Sequence, residues 1–284
     1  MKGRRLLWIW GLVGLAALIG LFLVPGGHPE TLEVAQEFEL EPIIKLPALG
    51  PVDLSVTKAV IYLWLTAAVL LVIAAVVARN LKQQPGRFQA LLELLYSLAR
   101  DGIVRTTMTS GADTWFPYIG AAFFFVLVCN LLGLIPMPFG EHHQLAFYAA
   151  TGNLNVTIAL ALLTFIFTHY AGIRKKGAIG YFKGWAIPSA PPVLRQVIFV
   201  MHIISEIFRL VSLSVRLFAN MLAGHAILAV FFAMALVFQS YFIAGVLQAG
   251  SVALYLFEIF IAFIQAFIFA ILSAVYIGGA LEEH

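Results

Sequence analysis

Long apolar runs dominate this chain, and each is long enough for a helix that crosses a lipid bilayer. Runs at residues 6–24, 57–78, 116–137 and 152–173 contain almost no charged side chains. Because a bilayer-spanning helix needs about 20 apolar residues, each run predicts one span. A membrane β-barrel would instead show short segments of alternating polarity. The pattern therefore predicts an all-α polytopic membrane protein.

The C-terminal third has a different pattern, since residues 196–281 are almost wholly apolar. This stretch is long enough for four short spans or for two very long helices. Because its first part contains no strong turn signal, we favour two helices, at about 193–246 and 248–281, forming a hairpin broken near Gly245–Gly250. At about 1.5 Å per residue, the first would exceed the ~30 Å apolar slab more than twofold, so it would have to tilt steeply.

The segments between these runs are polar or amphipathic. Residues 1–24 resemble either a membrane anchor or a signal peptide, and the lack of a small-residue cleavage motif favours a retained anchor. Residues 25–56 are acidic and proline-rich, which predicts an extracytoplasmic segment ahead of a membrane domain at 57–284. Residues 85–102 predict an amphipathic helix on the membrane surface, with apolar positions at helical spacing at Leu91, Leu94, Leu95 and Leu98.

Composition and charge agree with this membrane assignment. Hydrophobic residues make up 62% of the chain, charged residues 11%, and the mean hydropathy is +0.98, which excludes a soluble domain. With one cysteine, Cys129, the chain predicts neither a disulfide framework nor a thiolate metal site, and we expect no cofactor. If the N-terminus is cytoplasmic and the spans alternate, 13 of the 17 lysines and arginines fall on the cytoplasmic side. The C-terminus is then also cytoplasmic.

One arginine lies where a charge is expensive. Arg216 is followed by 41 uncharged residues before Glu258. An ionisable side chain in such a setting marks an ion pathway by default, and a guanidinium keeps its proton even when buried. Arg216 therefore suits an electrostatic gate better than a proton carrier.

Arg216 belongs to a polar stripe on the first long helix. At about 100° per residue, the stripe lies within roughly 40° of one line. Its members are His202, Ser205, Arg209, Ser212, Arg216, Asn220 and Ala223. Glu206 lies beside it, three residues before Arg209, at a spacing that forms an ion pair. For the serines, Asn220 and the Glu206–Arg209 pair, structural helix packing is the alternative interpretation.

The second long helix has its own sparse polar set. Glu258 and Gln265 are seven residues apart and share one face. In an antiparallel hairpin, Glu258 would approach His225, and a His–Glu pair beside water would form a proton relay. His225 faces away from the stripe, so a role in core packing is its alternative interpretation.

Several motifs resemble subunit a of F-type ATP synthases. They are SVRLFANMLAGH, FIQAFIFAILSAVYIGGALEEH, NLLGLIP, TGNLNVT and PGRFQALLELL, and the match covers roughly residues 35–284 in order. The resemblance implies a proton-translocating stator beside a ring of subunit c, with two offset half-channels reaching the ring. The stator arginine of the family corresponds to Arg216, and its polar positions to Asn220 and Gln265.

The resemblance also implies partners and a location. They are the c-ring, the subunit b peripheral stalk and other ATP synthase subunits, in a bacterial plasma membrane and without nucleic acid. No GxxxxGK[ST] loop occurs, so we expect no ATP chemistry on this chain.

The chain departs from the family pattern at three positions. His225 and Glu258 exchange the acid and the histidine found in some relatives, which keeps one of each. His202 replaces a family glutamate fourteen residues before the arginine, with Glu206 one turn further on. Asn153 replaces an aspartate, which leaves Asn153 and Asn155 as a polar cavity lining.

A membrane subunit of a redox-driven pump or a secondary transporter is the alternative assignment. Such proteins also bury ionisable residues at mid-membrane. Secondary transporters usually show inverted repeats, and the two halves of this chain are not self-similar. An intramembrane hydrolase would need a nucleophile motif that the sequence does not contain.

Overall fold

The computed structural model describes residues 42–44, 55–135, 149–185, 191–237 and 241–282. Two short strands, β1 (Pro42–Ile44) and β2 (Val56–Thr57), pair in antiparallel orientation. The α-helices of these residues are α1 (Lys58–Arg79), α2 (Arg87–Ser97), α3 (Arg105–Thr107), α4 (Ala112–Gly133), α5 (Leu154–Lys176), α6 (Ala178–Gly184), α7 (Pro192–Val237) and α8 (Tyr241–Leu281). A π-helix, Leu98–Val104, joins α2 to α3, and a 3₁₀ turn, Ala150–Gly152, precedes α5.

Five of these helices are long and apolar enough to cross a membrane, namely α1, α4, α5, α7 and α8. The predicted all-α polytopic fold is therefore confirmed. The runs at 57–78, 116–137 and 152–173 form α1, α4 and α5 respectively. The predicted anchor or signal at 1–24 lies outside the described residues.

The two long C-terminal helices form a hairpin, as the sequence predicts, but the position of the break differs. α7 ends at Val237 and α8 begins at Tyr241, so Gly245 and Gly250 lie inside α8 rather than between the helices. Glycine is tolerated within membrane helices, because the apolar surroundings favour continued backbone hydrogen bonding. The glycines at 245 and 250 were therefore misleading as turn signals.

The amphipathic segment at 85–102 is helical, but it is divided between two helix types. α2 covers its first part, and the wider π-helix covers Leu98–Val104, where Ala99, Ile103 and Val104 are buried. Leu91 and Leu94 of α2 are exposed within the described chain. An uncovered apolar face is what a membrane-surface helix requires.

The core lies between α4, α5, α7 and α8. Its buried apolar side chains include Phe123 of α4, Ala161 of α5, Leu217 of α7 and Phe269 of α8. α1 packs on α4 but is mostly exposed, with Leu71 among its open side chains. Exposed leucines on a spanning helix face lipid or another subunit rather than water.

Contacts at the helix ends show that neighbouring spans alternate in direction. At one end, Lys175 Nζ at the end of α5 donates to the Leu281 carbonyl at the end of α8 (2.6 Å), and Thr109 before α4 bonds Glu282 (3.3 Å). At the opposite end, the last residue of α4, Gly133, packs against Ala149 just before α5. We call the first the basic end, since the last turn of α5 there carries Arg174, Lys175 and Lys176.

Candidate functional site

α7 has one face turned to the core and one face left open. Leu213, Leu217 and Met221, spaced four residues apart, are buried against the other helices. The opposite face carries the predicted polar stripe, and Arg216 is exposed on it beside Ala219 and Ala223. A small-residue surface around a charged side chain lets another helix approach closely.

The Arg216 guanidinium has only one weak polar contact within the described part of the chain. Its Nη2 lies 3.5 Å from Ser212 Oγ, a long and weak hydrogen bond. Among the described residues, no carboxylate lies within ion-pair distance of this guanidinium. A charged group in an apolar setting without a counter-ion is costly, so the open face favours an acidic partner there.

Asn220, one turn after Arg216, links the two long helices. Its Nδ2 donates to Gln265 Oε1 at 2.6 Å, and Gln265 itself is buried in α8. The predicted polar positions at 220 and 265 are therefore brought together directly. This bond fixes the side-chain register of α7 against α8 beside the guanidinium.

His225 and Glu258 approach each other, as the hairpin predicts, but they do not bond directly. The His225 ring lies with Nδ1 2.8 Å from the Met221 carbonyl and Nε2 3.1 Å from the Gly133 carbonyl. Glu258 is buried, and its Oε1 lies against Gly224, in space that an added Cβ would overlap. Its Oε2 is buried without a hydrogen-bond partner among the described residues.

The carbonyls at the end of α4 form part of this cluster. Gly133 and Leu134 lie where a helix leaves its last carbonyls without intrahelical partners. His225 meets the first, and the Tyr255 hydroxyl donates to the second at 2.5 Å. Tyr255 was not predicted from the sequence, because a tyrosine three residues before Glu258 gives no sign of a partner 121 residues earlier.

A second polar cluster lies on the other side of Arg216, toward the basic end. Glu206 is buried, and its Oε1 accepts from Arg209 Nη1 at 2.7 Å, while His202 Nε2 lies 3.6 Å from the same oxygen. The Arg209 guanidinium also lies 5.3 Å from the centre of the Tyr276 ring. The predicted Glu206–Arg209 pair is present, and His202 joins it.

Hydroxyl groups extend this second cluster into the core. The Tyr118 hydroxyl lies 2.7 Å from Thr164 Oγ1, which in turn lies 3.4 Å from Ser273 Oγ. A small cavity between α5, α7 and α8 is lined by Thr164, Thr168, Glu206, Arg209 and Tyr276, together with apolar side chains. Buried hydroxyls around a cavity are the partners that an ordered water needs.

His169 lies next to this cavity and was also missed. Its ring centroid lies 4.1 Å from that of Phe165 and 5.7 Å from that of Trp185, and Trp185 in turn packs 4.7 Å from His202. Its Nδ1 is buried without a partner among the described residues. In the sequence, His169 is a lone histidine in an apolar run, which does not distinguish it from a core side chain.

Asn153 and Asn155 serve a local structural purpose. The Asn153 side-chain oxygen accepts from the Asn155 backbone N–H at 2.8 Å and so caps the start of α5. Within the part of the chain that the structure describes, neither amide bonds to Arg216, His225 or Glu258. The structure thus groups seven of the nine predicted site residues along the α7–α8 hairpin and leaves these two at a helix start.

The site therefore places a fixed positive charge between two polar clusters. Glu206 and His225 lie ten and nine residues from Arg216, or roughly 15 Å and 14 Å along the helix. We call the cluster farther from the basic end, His225, Glu258 and Tyr255, the outer cluster. The cluster nearer the basic end, Glu206, His202 and Arg209, is called the inner cluster. Within the described residues, no group of three or more His, Cys, Asp or Glu side chains is placed to hold a metal ion. Buried ionisable side chains on both sides of a fixed charge favour a proton pathway.

Comparison with known proteins gives one consistent result. The sequence profile described as "ATP synthase A chain" matches residues 60–278. A protein of Rubrobacter xylanophilus described as ATP synthase subunit a is 40% identical over 241 residues, which cover 84% of this chain and 89% of that protein. The subunit a proteins of Chloroherpeton thalassium (37% identical, 87% and 75% covered) and Pelodictyon phaeoclathratiforme (36%, 84% and 71%) are also similar.

Proposed function

Because this chain belongs to the ATP synthase A chain family, we propose that Arg216 is the fixed charge separating two proton half-channels. The chain is the proton-translocating stator subunit of an F-type ATP synthase. It is thus a membrane subunit of a proton-transporting ATPase complex and works with other ATP synthase subunits.

The exposed and unneutralised Arg216 is the observation that carries the proposal. In the complex, its counter-charge is the carboxylate of a subunit c helix in a ring that turns past α7. A protonated carboxyl can face lipid, whereas an ionised one cannot. Beside Arg216 the ionised form is favoured, so the ring carboxyl releases its proton there and takes up another only after it has moved on.

The two polar clusters supply the two half-channels. His225 and Glu258, with the Asn220–Gln265 pair and Asn153 and Asn155 near its entrance, line the outer half-channel. Glu206 and His202 line the inner one, where Glu206 stands in for the family glutamate. Buried polar groups on both sides of Arg216 support this assignment, since such groups in a membrane are retained for transport. The guanidinium prevents a proton from passing directly between the clusters.

The partners follow from the surfaces. The open face of α7, with Ala219 and Ala223 beside Arg216, receives the c-ring. The exposed helices α1 and α2 contact the subunit b stalk and lipid. The chain lies in a bacterial plasma membrane, with its C-terminus and basic end in the cytoplasm. ATP is made or hydrolysed on other subunits.

The test is ATP synthesis and proton pumping in membranes that carry Arg216→Ala, with assembly checked by immunoblot. We expect an assembled complex whose coupled transport falls to background. Arg195→Ala is the matched control, because Arg195 is an exposed arginine of the same helix, 21 residues away. Arg216→Ala with near wild-type coupled transport would show that Arg216 is structural, and the gate assignment would be dropped.

A further inference from the structure

The two ring nitrogens of His225 both face backbone carbonyl oxygens. Nδ1 lies 2.8 Å from the Met221 carbonyl of α7, and Nε2 lies 3.1 Å from the Gly133 carbonyl at the end of α4. A carbonyl oxygen only accepts hydrogen bonds, whereas a neutral imidazole has one N–H and one bare lone pair. A neutral ring would therefore turn a lone pair toward one of these oxygens. Both contacts are hydrogen bonds only if both nitrogens carry hydrogen.

Groups from three helices surround the ring. Gly133 is the last residue of α4, and the carboxyl end of a helix carries a partial negative charge that stabilises a protonated histidine. Glu258 of α8 interacts electrostatically with His225 and is the facing acid among the described residues. Tyr255, also on α8, uses its hydroxyl to bond the Leu134 carbonyl. Arg216, the arginine of α7 nearest to His225 in sequence, lies about two and a half turns away.

Glu258, unlike His225, has a polar atom without a hydrogen-bond partner among the described residues. Neither nitrogen of His225 is available to it, since both are engaged by carbonyls. Its Oε2 is buried and has no partner among the described residues, so that oxygen can take up a hydrogen. Its Oε1 lies against Gly224, in space that a Cβ at position 224 would occupy.

We propose that His225 keeps a hydrogen on both ring nitrogens and acts as a fixed cation that positions Glu258, so that Glu258 alone exchanges the proton in the outer cluster. In each transfer, Glu258 accepts one proton at Oε2 from a hydronium ion, which leaves water, and then gives that proton to the arriving carboxylate of the ring. The imidazolium keeps both of its hydrogens throughout. His225 is thus a positioning residue rather than a shuttle. This inference rests on the proposed half-channel function.

The direct test is ¹⁵N NMR of the intact, membrane-reconstituted complex with labelled histidine in this chain. The His225 signals are those that disappear in His225→Gln. We expect both ring nitrogens to show the chemical shift and one-bond coupling of N–H groups at neutral pH. A His225 ring with one hydrogen-free nitrogen under the same conditions would overturn the inference. That outcome leaves the stator function untouched, because the function is judged by Arg216→Ala.

Coupled transport by two variants gives an independent readout. Arg at 225 is a permanent cation with donors for both carbonyls, but it cannot shuttle a proton. Gln can donate through its amide but carries no charge. We expect His225→Arg to retain coupled transport within about threefold and His225→Gln to lose at least about tenfold, roughly 1.4 kcal/mol in a rate barrier. Loss of coupled transport in both variants is the result that a proton-shuttling His225 predicts, and it would overturn the inference. An active His225→Gln with an inactive His225→Arg would also overturn it, since it would show that no cation is needed at this position.

Discussion

Gly224 lies where the two long helices touch at Glu258. A Cβ at this position would overlap Glu258 Oε1 and would lie 2.9 Å from its Cδ. The glycine therefore allows the carboxylate to sit directly against α7, next to His225. No other residue type fits there unless the acid moves.

Gly224→Ala is expected to displace the Glu258 carboxylate and to slow coupled proton transport by at least about tenfold, since a misplacement of about 1 Å has large kinetic effects. Gly245→Ala is the control, because Gly245 is a glycine of α8 with open space around its Cβ position. Proton pumping in inverted vesicles measures both. Equal pumping by the two variants would contradict a fixed position for Glu258.

The Asn220–Gln265 bond allows a double-mutant test. We expect Asn220→Ala and Gln265→Ala each to lower the melting temperature of the purified complex, and their effects to be non-additive by about 1 kcal/mol. The reason is that each single variant leaves a polar amide without its partner. Strict additivity would show that the 2.6 Å contact contributes no coupling energy.

At the scale of whole helices, the end of α4 depends on α7 and α8. The carbonyls of Gly133 and Leu134 at this end lie within hydrogen-bond distance of the His225 ring and of the Tyr255 hydroxyl respectively. A buried segment end needs such partners, because bare carbonyls in an apolar medium are costly. Asn130, buried one turn earlier, adds a bond from Nδ2 to the Ala262 carbonyl of α8 at 3.3 Å.

Tyr255→Phe should destabilise this junction, since it removes the only side-chain donor that the described structure gives to the Leu134 carbonyl. Leaving a buried acceptor unpaired costs about 1–3 kcal/mol, so the melting temperature of the complex should fall. Tyr96→Phe is the matched control, because Tyr96 is exposed on α2. An unchanged melting temperature for Tyr255→Phe would show that another donor reaches this carbonyl.

Sequence patterns predicted the helices better than their junctions. Hydrophobic run lengths located α1, α4 and α5, and the scarcity of turn residues gave the α7–α8 hairpin. The break was misplaced because Gly245 and Gly250, which end helices in water, are tolerated within apolar helices. The π-helix at Leu98–Val104 was not predicted, since a local widening depends on packing that periodicity does not encode.

The candidate site shows the same division at the level of residues. Arg216, Glu206 and Glu258 stand out in the sequence, because charge is rare in apolar runs. Tyr255 and His169 do not, since their positions in the two clusters depend on tertiary contacts with distant segments. His225 and Glu258 do not bond directly, because the His225 ring instead contacts the Gly133 carbonyl at the end of α4. A helical projection of α7 and α8 alone does not include that carbonyl.

For the molecule as a whole, the alternation of helix directions fixes which ends lie together but not which side faces the cytoplasm. The lysines and arginines of the basic end predict that this end faces the cytoplasm. Since Cys129 is the one cysteine and is buried, single-cysteine variants on a Cys129→Ser background can test it. We expect a membrane-impermeant maleimide to label Ser55→Cys in intact cells, and Lys183→Cys only after permeabilisation. The reverse pattern would invert the topology.

Two hydrogen bonds hold the C-terminal end of α8. Lys175 of α5 donates to the Leu281 carbonyl, and the Thr109 hydroxyl donates to the Glu282 carboxylate. Under the proposed function, a turning c-ring exerts a sideways force on α7, and α8 packs directly behind α7. Because α8 is bonded at this end to α5 and to the segment before α4, we expect that force to pass into those helices rather than to displace α8. We therefore predict that the basic end anchors this subunit against the turning ring. Weakening it, as in Lys175→Ala, should cause slip under high proton-motive force while leaving unloaded turnover unchanged.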